Sequence, residues 1–121
     1  MDIAIVGATG NVGRKTLEVL QQKNLNIDNL YLVASPNSAG KQLEFNGKKY
    51  SIENLENYDF SKAKITFFAA GGKISEQYAE KAAKHTTVID NSSYFRMDPD
   101  VPLIVPQVNA KDIQNLSLIH I

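Results

Sequence analysis

The chain has no cysteine, no excess of either charge and no long apolar run, and each absence removes a class of protein. Without cysteine there is no disulfide framework, no thiolate zinc site and no cysteine nucleophile in its 121 residues. Lys plus Arg number 13 and Asp plus Glu number 13, so the formal net charge is zero. A protein that neutralises phosphates needs a basic excess or stripe, so no nucleic-acid partner is expected. The best short apolar run, Ile3-Ala4-Ile5-Val6, is broken at Gly7, far short of a membrane span. It follows Met1-Asp2 so closely that no signal peptide is expected, and the expected location is the cytoplasm. His85 and His120 have no companions at ligand spacing, so no metal site is expected.

What is present is an ordinary globular composition, 43% apolar and 21% charged, of a length suited to one domain. Short apolar runs alternate with helical patterns. Ile3–Val6, Leu30–Ala34, Ile65–Ala70, Val88–Asp90 and Leu103–Val105 read as strands, the first three buried on both faces. Val12, Thr16, Leu17 and Leu20 fall at helical spacing, with Arg14, Lys15 and Glu18 opposite. A second helix is expected from about Ser75 to Lys84, with Ile74, Tyr78 and Ala82 on one face. Between the second and third buried strands, Gln42–Phe45 and Lys49–Ile52 alternate around Asn46-Gly47, a strong hairpin signal, followed by a polar connector. The fold class is α/β: a Rossmann-like, doubly wound, mostly parallel sheet with a small antiparallel hairpin excursion.

Four segments could carry chemistry. Gly7-Ala8-Thr9-Gly10-Asn11-Val12-Gly13 is a glycine-rich turn between the first strand and the first helix. Glycine allows positive φ and close backbone approach, and the helix N-terminus offers free N–H groups to a pyrophosphate. Its strand-to-helix context makes a nucleotide site the stronger reading over a purely structural turn. After the second strand, Ser35-Pro36-Asn37-Ser38-Ala39-Gly40-Lys41 lacks the acid that an NAD site uses on the ribose. Its hydroxyls, amide and lysine suit a 2′-phosphate, although a plain polar surface loop has the same composition. Ala69-Ala70-Gly71-Gly72 ends the third buried strand at the edge that faces the crevice in such sheets. Finally, Asn91-Ser92-Ser93-Tyr94-Phe95-Arg96 follows another strand, and Arg96 beside Asn91 could clamp a phosphate or carboxylate. Tyr58 and Lys62 match a Y-x-x-x-K spacing, but they lie in the polar connector rather than on a long helix, so the match is read as coincidence.

These blocks, taken in order as GATGNVG (7–13), ASPNSAGK (34–41), FFAAGG (67–72) and VIDNSSYFRMDPDVPLIVPQVN (88–109), resemble the N-terminal, cofactor-binding part of the bacterial aspartate-semialdehyde dehydrogenases. The resemblance spans nearly all of residues 1–115, read as one NAD(P)-binding domain, and leaves 116–121 as an unassigned tail. It implies an NADP-dependent oxidoreductase that reduces aspartyl phosphate to aspartate semialdehyde for lysine, methionine and threonine synthesis. It also implies that Gly7 and Thr9, Gly10, Asn11, Val12 and Gly13 hold the cofactor phosphates. Ser35, Asn37 and Ser38 would face the adenosine 2′-phosphate, Gly71 and Gly72 the nicotinamide, and Arg96 with Asn91 the substrate phosphate. The intact enzyme is expected to be a homodimer acting on a small-molecule substrate. Asn37 stands where the family usually has arginine, which weakens the 2′-phosphate grip. The family's nucleophile is a cysteine, so this chain by itself is expected to have no dehydrogenase activity. A related N-acetyl-glutamyl-phosphate reductase domain and a non-catalytic nucleotide-binding module are the alternative readings.

Overall fold

Ile3, Ala4, Ile5 and Val6 are all fully buried, and the strand they form, β1 (Asp2–Val6), has neighbours on both edges. The computed structural model describes residues 2–23, 27–90 and the backbone of 118–120. After β1 come α1 (Asn11–Gln22), β2 (Asn29–Ala34), β3 (Gln42–Phe45), β4 (Lys48–Asn54), β5 (Ile65–Phe68), α2 (Gly72–Ala83), β6 (Thr87–Asp90) and β7 (Leu118–His120). They build a seven-stranded sheet in the order β3-β4-β2-β1-β5-β6-β7. Every pairing is parallel except β3–β4, which is the expected hairpin, with Asn46 at φ 52 and Gly47 at φ 79. The doubly wound, mostly parallel α/β architecture read from the sequence is the one observed.

Alternation along the strands sends side chains to two cores. Ile3, Ile5, Leu30 and Leu32 meet Leu17 and Leu20 of α1 and Phe45 of the hairpin on one face. Burying each such leucine contributes about 1.5–3 kcal/mol. Ala4, Val6, Val33, Phe68 and Val88 meet Ala79 and Ala82 of α2 on the other. Thr66 and Thr86, both buried, satisfy each other at 3.1 Å between hydroxyls. Right-handed crossovers account for the two faces. The chain moves one way from β1 to β2 through α1, and the opposite way from β5 to β6 through α2. The reversal lies between β1 and β5.

The connector 55–64 needs correction. The sequence suggested a polar connector, yet Leu55, Tyr58, Phe60 and Ala63 are buried in the α2-side core. Two short 3-10 turns, Leu55–Asn57 and Phe60–Lys62, produce this result. Asn54 and Asp59 cap them by accepting from the backbone N–H of Glu56 and Ser61. The polar residues therefore face water while the rings turn inward. Phe60 stands edge-on to Tyr58 at 5.2 Å and stacks on Phe68 at 6.1 Å between centroids. Two smaller differences concern boundaries: α2 starts at Gly72 rather than near Ser75, and β5 ends at Phe68 rather than Ala70. Leu118–His120 pairs in parallel with β6, while Leu103–Val105 lies outside the described residues.

Candidate functional site at the strand reversal

A sheet whose winding reverses leaves a crevice at the carboxyl ends of the two strands flanking the reversal. Here that position holds a cleft of about 270 Å³. Gly7, Thr9 and Gly10 form one wall, Ala34, Ser35 and Leu55 a second, and Ala69, Ala70 and Ile74 a third. Three segments singled out in the sequence thus converge on one volume.

The glycine turn is built tightly. The N–H groups of Gly7 and Ala8 both reach the Val33 carbonyl, at 2.8 and 3.3 Å, which ties the end of β1 to the end of β2. Gly7 has φ +87, and a Cβ there would lie 2.8 Å from Ala69 and Ala70. Gly13 is buried in the first turn of α1, where a Cβ would overlap the Gly7 carbonyl oxygen. Gly10 differs: a Cβ there would meet only that carbonyl oxygen, at 3.5 Å, an ordinary contact. The fold therefore requires Gly7 and Gly13 but tolerates a side chain at Gly10.

Gly10 is also the N-cap of α1, and no side chain caps this helix end. The first turn contains no acidic residue. Helix N-termini carry unsatisfied N–H groups and about half a positive charge. An end left without a cap or a carboxylate, opening on a cleft, suits an anion such as a dinucleotide pyrophosphate. Thr9 Oγ1 donates to Ser38 Oγ at 3.4 Å, joining the glycine turn to the loop after β2. That loop folds on itself, Ser38 and Ala39 donating to the Ser35 carbonyl. The chemistry of this donor set fits a nicotinamide dinucleotide: backbone N–H groups for phosphates and hydroxyls for a ribose or its phosphate.

The remaining sequence candidates divide. Asn37 is exposed on the loop and does not line the cleft. Val12 is 45% exposed and faces a separate apolar groove with Val19, Phe67 and Ile89. Asn11, Val12 and Gly13 reach the site only as the opening turn of α1. Gly71, at φ +93, and Gly72 open α2 just beyond Ala70. Asn91 and Arg96 lie outside the described residues. Leu55, Ile74 and Ala34 were not singled out as site residues; only their apolar character marked them, and that pattern indicates core as readily as cleft. The Tyr58–Lys62 pair does not make a catalytic couple. Tyr58 is a core residue whose hydroxyl has no partner among the described residues, and burial, followed by the Glu53 charge, pushes its pKa well above the ordinary value. Lys62 lies 5.8 Å from the Tyr31 and Tyr58 ring centroids and 3.4 Å from Glu53. Among the described residues there is no acidic or histidine cluster able to hold a metal, and no helix is long and apolar enough to cross a membrane.

Comparison with known proteins agrees with this geometry. The family model for the semialdehyde dehydrogenase NAD binding domain matches residues 2–116. Aspartate-semialdehyde dehydrogenase of Aquifex aeolicus is 52% identical over 116 residues, covering 93% of this chain and 34% of that protein. Aspartate-semialdehyde dehydrogenase 2 of Vibrio cholerae is 48% identical over 113 residues, with coverages of 93% and 34%. A crystal structure of aspartate semialdehyde dehydrogenase II from Vibrio cholerae, complexed with ASA, superposes with a TM-score of 0.92 at 45% identity, covering 98% of this chain and 40% of that one. The chain thus spans about a third of the length of the curated relatives it matches. With a glycine turn and an uncapped helix end at the reversal of a doubly wound sheet, and with a family match from residue 2 to residue 116, the chain belongs to the semialdehyde dehydrogenase family as its NAD-binding domain.

Proposed function

We propose that the chain is the NADP-binding part of an aspartate-semialdehyde dehydrogenase. The reaction is reduction of β-aspartyl phosphate by NADPH to aspartate semialdehyde, NADP⁺ and phosphate, a step toward lysine, methionine and threonine. Residues 1–115 form the nucleotide-binding unit, and the intact enzyme is a cytoplasmic homodimer. The observation that supports the reading most is the α1 N-terminus, free of cap and carboxylate, opening on a cleft lined by Thr9, Gly10 and Ser35.

In this reading the turn from Thr9 to Gly13 holds the pyrophosphate through the N–H groups of Thr9, Asn11, Val12 and Gly13, while the Gly10 N–H is taken by the Gly7 carbonyl at 3.1 Å and fixes the shape of the turn. Ser35, Asn37 and Ser38 face the adenosine 2′-phosphate, as the acid-free loop after β2 suggests. Gly71 and Gly72 present a wall without side chains to the nicotinamide half. When bound, the dinucleotide supplies the hydride. Asn91 and Arg96 grip the phosphate of the substrate, Arg96 as a charge-assisted fork.

Titrating the chain with NADPH and following nicotinamide fluorescence tests the reading. Gly10→Val fits the fold but fills the space the pyrophosphate needs, so the variant keeps its melting temperature and loses more than about tenfold in affinity. Equal binding by both proteins would remove the glycine turn from the site. NADPH binds more tightly than NADH, by a margin that Asn37 keeps small; the reverse order would assign the chain to NAD.

A further inference from the structure

The two helices that open on the cleft are anchored differently. Neither has a side-chain cap, since Gly10 and Gly71 occupy the capping positions. The first turn of α1 is held by contact, because Gly13 packs directly on Gly7. Gly71 meets nothing within 4 Å of a virtual Cβ, and the first turn of α2 contains no acidic residue. A helix start reached through an unencumbered glycine at φ +93 needs another fixed point.

That point is Ser75, in the second turn of α2. Its Oγ donates to Asp90 Oδ1 at 2.9 Å, and both residues are 0% exposed. Ser75 also donates its N–H to the Gly71 carbonyl at 3.2 Å. Asp90 is the last residue of β6 and pairs in register with Phe68, the last residue of β5. The bond therefore ties the ends of two adjacent strands to the start of α2. Ile74, next to Ser75, lines the cleft with Ala69 and Ala70. A fully buried carboxylate is costly to desolvate and is kept where its hydrogen bonds are strong.

We propose that Asp90 and Ser75 are a positioning pair that sets the α2 end of the cleft, Gly71 to Ile74, against the nicotinamide half of the bound dinucleotide. The inference rests on the nucleotide-binding reading above and adds a division of labour to it. The α1 turn and the loop after β2 fix the adenine half, and the Asp90–Ser75 bond fixes the other half. Neither residue touches the cofactor. Their effect passes through the position of α2.

Two ligands separate this role from a general contribution to folding. Adenosine 2′,5′-bisphosphate probes the adenine half alone, and NADPH probes both halves. In the full chain, Ser75→Ala leaves adenosine 2′,5′-bisphosphate binding within about twofold of wild type, because the glycine turn and the loop after β2 are held by their own hydrogen bonds, to Val33 and Ser35, and not by α2. The same variant weakens NADPH by about tenfold, as loss of a buried hydrogen bond that leaves its acceptor unsatisfied does, and abolishes the nicotinamide fluorescence enhancement. Asp90→Asn, with Ser75 intact, keeps an oxygen acceptor for the Ser75 hydroxyl and holds NADPH binding within about threefold of wild type. Equal weakening of both ligands by Ser75→Ala would make the bond a folding contact and overturn the proposal. Unchanged NADPH binding would overturn it too, as would an Asp90→Asn variant as damaged as Ser75→Ala. Failure of the wild-type chain to bind either ligand overturns the nucleotide reading itself, an outcome distinct from all three.

Discussion

At the end of β1 the chain enters α1 through Gly7, Gly10 and Gly13; at the end of β5 it enters α2 through Gly71 and Gly72. Both turns lie at the strand reversal, and both look alike as sequence. In the first, space is the added constraint: Gly7 also has a positive φ, of +87, but backbone crosses backbone so closely that neither Gly7 nor Gly13 has room for a methyl group. In the second, space is free around Gly71 and the constraint is its φ of +93. A glycine pair can thus record a contact in one turn and a dihedral angle in its neighbour. Gly10 records neither: its φ is negative and a Cβ there would make only an ordinary contact, at the N-cap position of α1.

Substitution separates these causes. Gly13→Ala has the largest effect, because the methyl group must displace the Gly7 backbone at the centre of the sheet. It destabilises the chain by about 3 kcal/mol or more, read as loss of the cooperative thermal transition by circular dichroism. A Gly13→Ala protein that melts like wild type would show that the turn can yield. Gly71→Ala costs less, about 1–3 kcal/mol for holding an L-residue in an extended, positive-φ conformation that is essentially reserved for glycine, seen as a lower denaturant midpoint with an unchanged slope. An effect there as large as at Gly13 would erase the distinction between the turns.

The smallest change expected is a gain. Tyr58→Phe removes a buried hydroxyl that has no partner among the described residues and keeps the ring contacts with Phe60 and Tyr31. It stabilises the chain by about 1 kcal/mol at neutral pH. Burial raises the Tyr58 pKa in the folded chain, whereas the unfolded chain ionises near the ordinary value of about 10. Stability held below pH of about 10 is therefore lost as pH rises beyond it, and Tyr58→Phe removes that part of the alkaline loss. A parallel fall of stability in both proteins between neutral and alkaline pH would locate the titration elsewhere.

Much of this fold was legible because parallel strands buried on both faces announce themselves as unbroken apolar runs. Ile3–Val6 and Leu30–Ala34 were readable from composition alone. The hairpin was readable because Asn46-Gly47 supplies the positive φ values that its turn requires. The connector was not. Leu55, Tyr58 and Phe60 are spaced among Glu56, Asn57 and Asp59 in neither a helical nor an alternating pattern, and only the 3-10 caps reveal that they turn inward. At the site, the glycine turn was legible through its context. The different roles of its glycines were not, since they depend on where β5 passes. The bond between Ser75 and Asp90 left no local signal, because its partners stand 15 residues apart on different elements.

The order of strands along the chain also sets an order in time. β2 follows β1 across a single helix, so the partner that pairs Leu30 with Ile3 is made early relative to β5. The other edge of β1, from Ile3 to Val6, is reserved for Ile65 to Phe68, which the ribosome adds much later. During that interval the central strand of the finished sheet is an edge strand, open to any extended segment that reaches it first. The segment that emerges in the meantime is the hairpin, and it is already spoken for. β4 pairs with β3 through a local turn on one side and with β2 on the other. With both of its own edges engaged, β4 has none left to offer β1, and the one free edge of the hairpin, on β3, lies at the far end of the sheet, two strands away from β1.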